Sequence, residues 1–169
     1  MSHLVISAVL AVATLFLVLR GVQSLSATQL DASATGVAHV VLSDRVDPVC
    51  GSACAQRWTM NAVSADDGSA VGQFELFSEE GGGIRVHGSM TCLSIEGNEA
   101  QLGGVITQSD IPDLIGLKVT WLVVDNGEGQ GSPDQTTDLF GNRDCESDLK
   151  SLPRFELFDV IHGDIQVRD

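Results

Sequence analysis

Residues 84–107 read IRVHGSMTCLSIEGNEAQLGGVIT, two alternating apolar runs about a Gly-Asn turn. Ile84, Val86, Met90 and Cys92 fall on one face of an extended chain, the period-two pattern of a half-buried strand. Gly97 and Asn98 then offer the positive φ values that a tight hairpin requires. Ala100, Leu102 and Ile106 resume the alternation on a returning strand.

The same rhythm extends to both sides. Further strands are predicted at residues 37–42, 57–63, 71–77, 117–124 and 160–167, which with 84–95 and 100–107 makes seven. Asp66-Asp67-Gly68, Glu80-Gly81-Gly82-Gly83 and Asp125-Asn126-Gly127 separate them as turns. One short helix is predicted over residues 144–152, with Asp144 as its cap, Leu149 and Leu152 packing inward and Pro153 ending it. These elements predict a mainly β fold, a single antiparallel β-barrel, with a β-sandwich as the alternative way to bury one face of each strand.

Upstream, residues 4–19 read LVISAVLAVATLFLVL, long for the apolar core of a signal peptide and short for a spanning helix. Small residues follow, so cleavage is expected after Ser24, Ser26 or Ala27. The predicted organisation is a signal peptide at 1–27, a flexible leader at 28–35 and a β domain at 36–169. The expected location is secreted or extracytoplasmic; the alternative is a membrane anchor formed by residues 4–19, since no cation precedes the apolar run and Arg20 follows it.

Composition agrees with a folded domain, at 43% hydrophobic and 19% charged residues. Asp and Glu outnumber Lys and Arg by 23 to 9, giving a net charge of −14. With no basic run to neutralise phosphates, nucleic acid is excluded as an expected partner, and so is any membrane beyond the N-terminal segment. The sequence names no other partner.

Cys50, Cys54, Cys92 and Cys145 all lie beyond the targeting segment, and an even number in an oxidising compartment predicts two disulfides. Three pairings are formally possible. The short, flexible loop Cys50-Gly51-Ser52-Ala53-Cys54 favours Cys50 with Cys54 and Cys92 with Cys145. The spacing is neither a C-x-x-C redox pair nor a tetrahedral thiolate set.

The stretch richest in potential chemistry is 125–138, where Asp125, Asn126, Glu128, Asp134 and Asp138 lie on a glycine-rich loop after an apolar strand. Calcium takes six to eight oxygen ligands, and these side chains with backbone carbonyls are a candidate set, although the spacing differs from the EF-hand loop. The bland alternative is a hairpin turn whose Asp and Asn side chains bond their own backbone. No other cofactor is expected. The run Gly127-Glu128-Gly129-Gln130-Gly131-Ser132 lacks the last glycine of a dinucleotide fingerprint, and Pro133 follows instead of a helix. His39, His87 and His162, with Glu75 as a carboxylate partner, are a second candidate cluster, without the spacing of a known metal motif. No G-x-S-x-G motif is present and no catalytic residue is assigned. Trp58, Phe74, Phe77, Met90 and Trp121 are read as core.

Several motifs together resemble a group of uncharacterised small secreted bacterial proteins of actinobacterial type. They are Val71-Gly72-Gln73-Phe74-Glu75-Leu76, Val86-His87-Gly88-Ser89-Met90-Thr91-Cys92-Leu93, Gly97-Asn98-Glu99-Ala100, Gly103-Gly104-Val105-Ile106-Thr107, Asp125-Asn126-Gly127-Glu128-Gly129, Pro133-Asp134, Cys145 and Gly163-Asp164-Ile165-Gln166-Val167. The resemblance spans residues 71–169 and implies export and a β fold, with no reaction attached. It includes Cys92 and Cys145, and so favours their pairing.

The functional expectation is a secreted, non-catalytic β module acting through surface loops, with calcium as a possible stabiliser. The alternatives are a carrier holding a small apolar ligand in a barrel cavity and a small hydrolase or isomerase with its site at the barrel mouth.

Overall fold

The structure, a computed structural model, describes residues 31–42, 54–65, 67, 69–79, 83–128, 131–153 and 155–169. The chain divides into two units, Met1–Leu30 and Asp31–Asp169, and all described residues belong to the second.

Seven long strands match the seven predicted. They are β1 (Ser33–Leu42), β2 (Cys54–Ser64), β3 (Ala70–Ser78), β4 (Ile84–Glu96), β5 (Glu99–Ser109), β6 (Lys118–Val124) and β10 (His162–Arg168). Three two-residue strands, β7 (Gln135–Thr136), β8 (Phe140–Gly141) and β9 (Phe158–Asp159), complete one antiparallel sheet. Its order is β10-β1-β2-β3-β4-β5-β6-β7-β9, with β8 also on β6. β1 begins earlier than predicted: Ser33 to Thr35, expected in the flexible leader, pair with both β2 and β10, and Ala34 is fully buried.

Alternation places the core. Ala34, Ala38, Val40 and Leu42 of β1 face inward, as do Trp58, Met60 and Ala62 of β2, Phe74 and Leu76 of β3, and Leu102 and Ile106 of β5. β6 departs from this pattern, because its run KVTWLVV is buried on both faces. Val119, Trp121 and Val123 join the main core. Leu122 and Val124 meet a second cluster on the outer side, formed by Leu149 with Phe140, Leu152, Phe155 and Leu157. A covering layer from residues 137–157 explains why this strand lacks polar alternation.

The sheet curls into an open half-barrel, neither the closed barrel expected nor the two-sheet sandwich. Closure would need a ladder along the outer edge of β10, yet the segments able to supply it, β7 and β9, are two residues each.

The Ile84–Glu96 strand bends the sequence reading in one respect. The β4–β5 register shifts between Met90 and Cys92, so Met90 lies opposite Gly104 and Cys92 opposite Gly103. This bulge moves Cys92 off the inward face it was expected to share with Met90 and turns Leu93 and Ile95 toward the core.

The helix expected over 144–152 is a single 3₁₀ turn, Leu149–Ser151, capped by the Asp148 carboxylate and not by Asp144. The Gln101 side-chain amide takes the carbonyls of Asp144 and Ser147, at 3.3 and 2.8 Å, acceptors that a continuing helix would use internally. Cys145 is also tied to β4 by the disulfide. A second 3₁₀ turn, Pro112–Leu114, links β5 to β6.

Candidate functional site

The loop leaving β6 carries a cluster of side-chain to backbone hydrogen bonds. The side chain of Asp125 accepts two backbone N–H groups, that of Gly127 on Oδ1 at 2.8 Å and that of Val167 on Oδ2 at 2.9 Å. Asp134 repeats the arrangement, taking Asn126 N–H on Oδ1 at 2.9 Å and Ile165 N–H on Oδ2 at 2.8 Å. Asn126 closes the loop by donating its amide to the Pro133 carbonyl at 2.6 Å, and Asn98 donates to the Asp125 carbonyl at 2.8 Å. Gly127 and Gly131, with φ of 74° and 81°, supply left-handed backbone at its bends.

Ile165 and Val167 are two residues apart, so their N–H groups emerge on the same edge of β10. β10 gives its other edge to β1, from Ser33↔Arg168 to His39↔His162. The two carboxylates therefore occupy the acceptor positions that a neighbouring strand's carbonyls would hold. The backbone continues this seam at the corner between β9 and β10, where Val160 N–H meets the Asp134 carbonyl and Ile161 N–H the His39 carbonyl, both at 2.8 Å.

Of the five residues predicted as calcium ligands, Asn126 bonds directly to Asp134 through its backbone N–H, and Asp125 and Asp134 hold neighbouring N–H groups of β10. Glu128 is exposed, and the Asp138 carboxylate accepts the N–H of Leu139 at 2.8 Å. Among the described residues no three His, Cys, Asp or Glu side chains form a metal-holding group.

The histidines separate into two places. His39 and His162 are cross-strand partners with ring centroids 6.2 Å apart. His87 lies opposite Glu75 on β3, its Nδ1 3.7 Å from the carboxylate. A motif that sequence reading passed over, Ser147-Asp148-Leu149-Lys150, has the S-x-x-K spacing of a serine nucleophile. Ser147 Oγ bonds the Asp144 carboxylate at 3.1 Å while Lys150 bonds Glu99, so hydroxyl and amine are engaged apart.

Cys92 and Cys145 form the expected disulfide, with Cα atoms 6.0 Å apart. The bridge lies directly over Gly103, where a Cβ would stand 2.5 Å from Cys92 Sγ and 3.1 Å from Cys145 Sγ. The other expected bridge, Cys50 to Cys54, lies outside the described residues, since Cys50 and the Cys54 side chain are not among them.

The interior is filled where a carrier would need space. Trp58 and Trp121 are fully buried with ring centroids 5.8 Å apart, and Phe74 lies 5.1 Å from Trp121. Phe74 rests on Gly88 and Gly104, whose added Cβ atoms would approach its ring to 2.2 and 2.8 Å. Trp58 Nε1 donates to Gln56 Oε1 at 3.2 Å inside the core, while the buried Trp121 Nε1 has no hydrogen-bond partner among the described residues.

Fold and seam define a disulfide-stapled, single-sheet β half-barrel module. No protein-family model, curated protein or solved structure matches the chain.

Proposed function

We propose that this is an exported, non-catalytic β module that acts through its outer surface and loops. The observation that carries the reading is the stack of Phe74, Trp121 and Trp58, which occupies the interior that the competing carrier reading needs open. A shallow open groove of 620 Å³ lies on the outer face, bordered by Thr35, Val37, Thr59, Asn61, Asp164 and Gln166. Export is supported by the Cys92–Cys145 bridge, which persists in oxidising compartments, and by a sheet that starts at Ser33, beyond every expected cleavage point. The loop 125–134 serves in this reading as a latch on β10. Calcium is its second reading, because a cation would share oxygens that already accept backbone N–H groups.

Two measurements test the proposal. Expression of residues 1–169 in a secreting host should release a protein whose N-terminus lies between Leu25 and Thr28; retention of the intact chain in the membrane fraction would replace export by anchoring. Titration with long-chain fatty acids should leave the emission of the two buried tryptophans unchanged. A saturable change that raises the thermal midpoint would establish a cavity and overturn the surface reading.

A further inference from the structure

We propose that His39 and His162 form a site for one transition-metal ion that favours imidazole, Zn²⁺, Cu²⁺ or Ni²⁺, completed by water and fastening β10 to β1. The two residues face each other in the register, so their Cα–Cβ bonds project from the same side of the sheet. Their rings are already in edge contact, with centroids 6.2 Å apart and planes at 82°. His39 is half-buried and His162 exposed, so rotation about the side-chain torsions can bring one nitrogen of each ring to a shared ion without moving backbone. Neutral imidazole is the ligand these metals share, whereas calcium and magnesium prefer oxygen.

Among the described residues the charges nearest the pair in the register are already engaged. On β2, Arg57 lies opposite His39, and its guanidinium is engaged by Glu79 at 3.2 Å. On β10, Asp164 follows His162 on the same face and accepts from the Gln166 amide at 3.0 Å. Val37 and Val41, the same-face neighbours of His39 on β1, carry no charge. The net charge of −14 raises the local concentration of any cation. The position adds a structural consequence, because His162 directly follows the corner at which Ile161 N–H bonds the His39 carbonyl. An ion held by both rings would tie the start of β10 to β1 at the corner where the chain enters β10 from β9.

The test uses the full-length protein at neutral pH in a His3→Gln background, because the amino-terminal Met1-Ser2-His3 would otherwise capture Cu²⁺ through its own nitrogens. Substoichiometric Cu²⁺ should give an electron paramagnetic resonance spectrum with two-nitrogen superhyperfine structure, and Zn²⁺ should bind in calorimetry at one equivalent and raise the thermal midpoint. His39→Gln and His162→Gln should each weaken Zn²⁺ binding by about tenfold or more, the loss that removing even an outer-shell partner typically causes. Each should also reduce the copper signal to a single nitrogen. His87→Gln, 3.7 Å from Glu75 and away from the pair, should leave both readouts unchanged. Circular dichroism without metal verifies that each variant is folded, and acidification should release the ion as protons compete for the rings. Two-nitrogen copper binding that survives in the folded double variant, or its absence from the parent protein, overturns the proposal.

Discussion

The Asp134 carboxylate accepts the backbone N–H of Ile165 at 2.8 Å, standing where the carbonyl of a paired strand would otherwise be. Asp125 does the same for Val167 at 2.9 Å. An acidic loop thus finishes a sheet edge that pairs with no strand among the described residues, and an edge that would invite aggregation is occupied from within the chain.

Replacing Asp134 by Ala leaves the N–H groups of Asn126 and Ile165 without their acceptor, and should destabilise the domain by about 1–3 kcal/mol in urea unfolding. Asp134→Asn, which keeps one accepting oxygen, should fall between Ala and the parent. Amide exchange should accelerate at Ile165 and not at residues in the middle of the β2–β3 ladder. An unchanged Ile165 amide would show that the latch does not hold β10.

Gly103→Ala drives a methyl group into the Cys92–Cys145 bridge and should cost about 1–3 kcal/mol, the usual range for overpacking. In a Cys92→Ala/Cys145→Ala background both sulfur atoms are gone and the same substitution should be nearly neutral. The thermal midpoints of the four proteins measure this coupling directly.

Opening the bridge itself should cost about 4 kcal/mol in the loop-entropy model, given its sequence separation of 53. The damage should begin locally, because Cys145 anchors the segment that covers Leu122 and Val124. Binding of a hydrophobic dye after reduction, before loss of far-ultraviolet ellipticity, is the expected signature.

Two surface groups have a defined pH dependence. The Ser69 hydroxyl and then its backbone N–H hold the Asp67 carboxyl below its ordinary value, so the stabilisation this turn contributes is present above about pH 4 and is lost as pH falls through the folded-state value. The hydrogen bond to Glu99 raises Lys150, so its contribution is complete below the ordinary lysine value of about 10.4 and is lost as pH rises through the folded-state value. Ser69→Ala should move the Asp67 titration up, and Glu99→Gln should move that of Lys150 down. Both shifts are read by nuclear magnetic resonance titration.

Gly88→Ala should be among the most damaging small changes in the sheet, since its methyl would meet both the Phe74 ring at 2.2 Å and the Val105 carbonyl at 2.6 Å. Phe74→Leu should rescue it only in part, because the carbonyl contact is backbone and remains.

Local signals were legible wherever the competing arrangements were also local. All seven long strands follow from alternation and turn chemistry, and the Gly97-Asn98 hairpin stands where its residues require it. The failures have a common cause. Cys92 reads as inward because a bulge at Thr91 leaves no mark in the hydrophobic pattern. Residues 144–152 read as a helix because nothing nearby reveals that Gln101, more than forty positions away, takes the carbonyls. Asp125 and Asp134 stand out in the sequence as loop carboxylates, and in the structure they accept backbone N–H groups. Their partners, Val167 and Ile165, lie 42 and 31 positions along the chain.

The strand set, the inward face of most strands and the core places of Trp58, Phe74, Met90 and Trp121 are legible in the sequence, because they depend on a period of two and on turn residues acting within a few positions; Phe77, also read as core, is instead half-buried beneath Arg85. Whether the strands would close into a barrel was decided only by tertiary structure. That outcome rests on which backbone N–H groups of β10 find a strand and which find a carboxylate, and pairing between distant segments has no signature in the order of residues along either one.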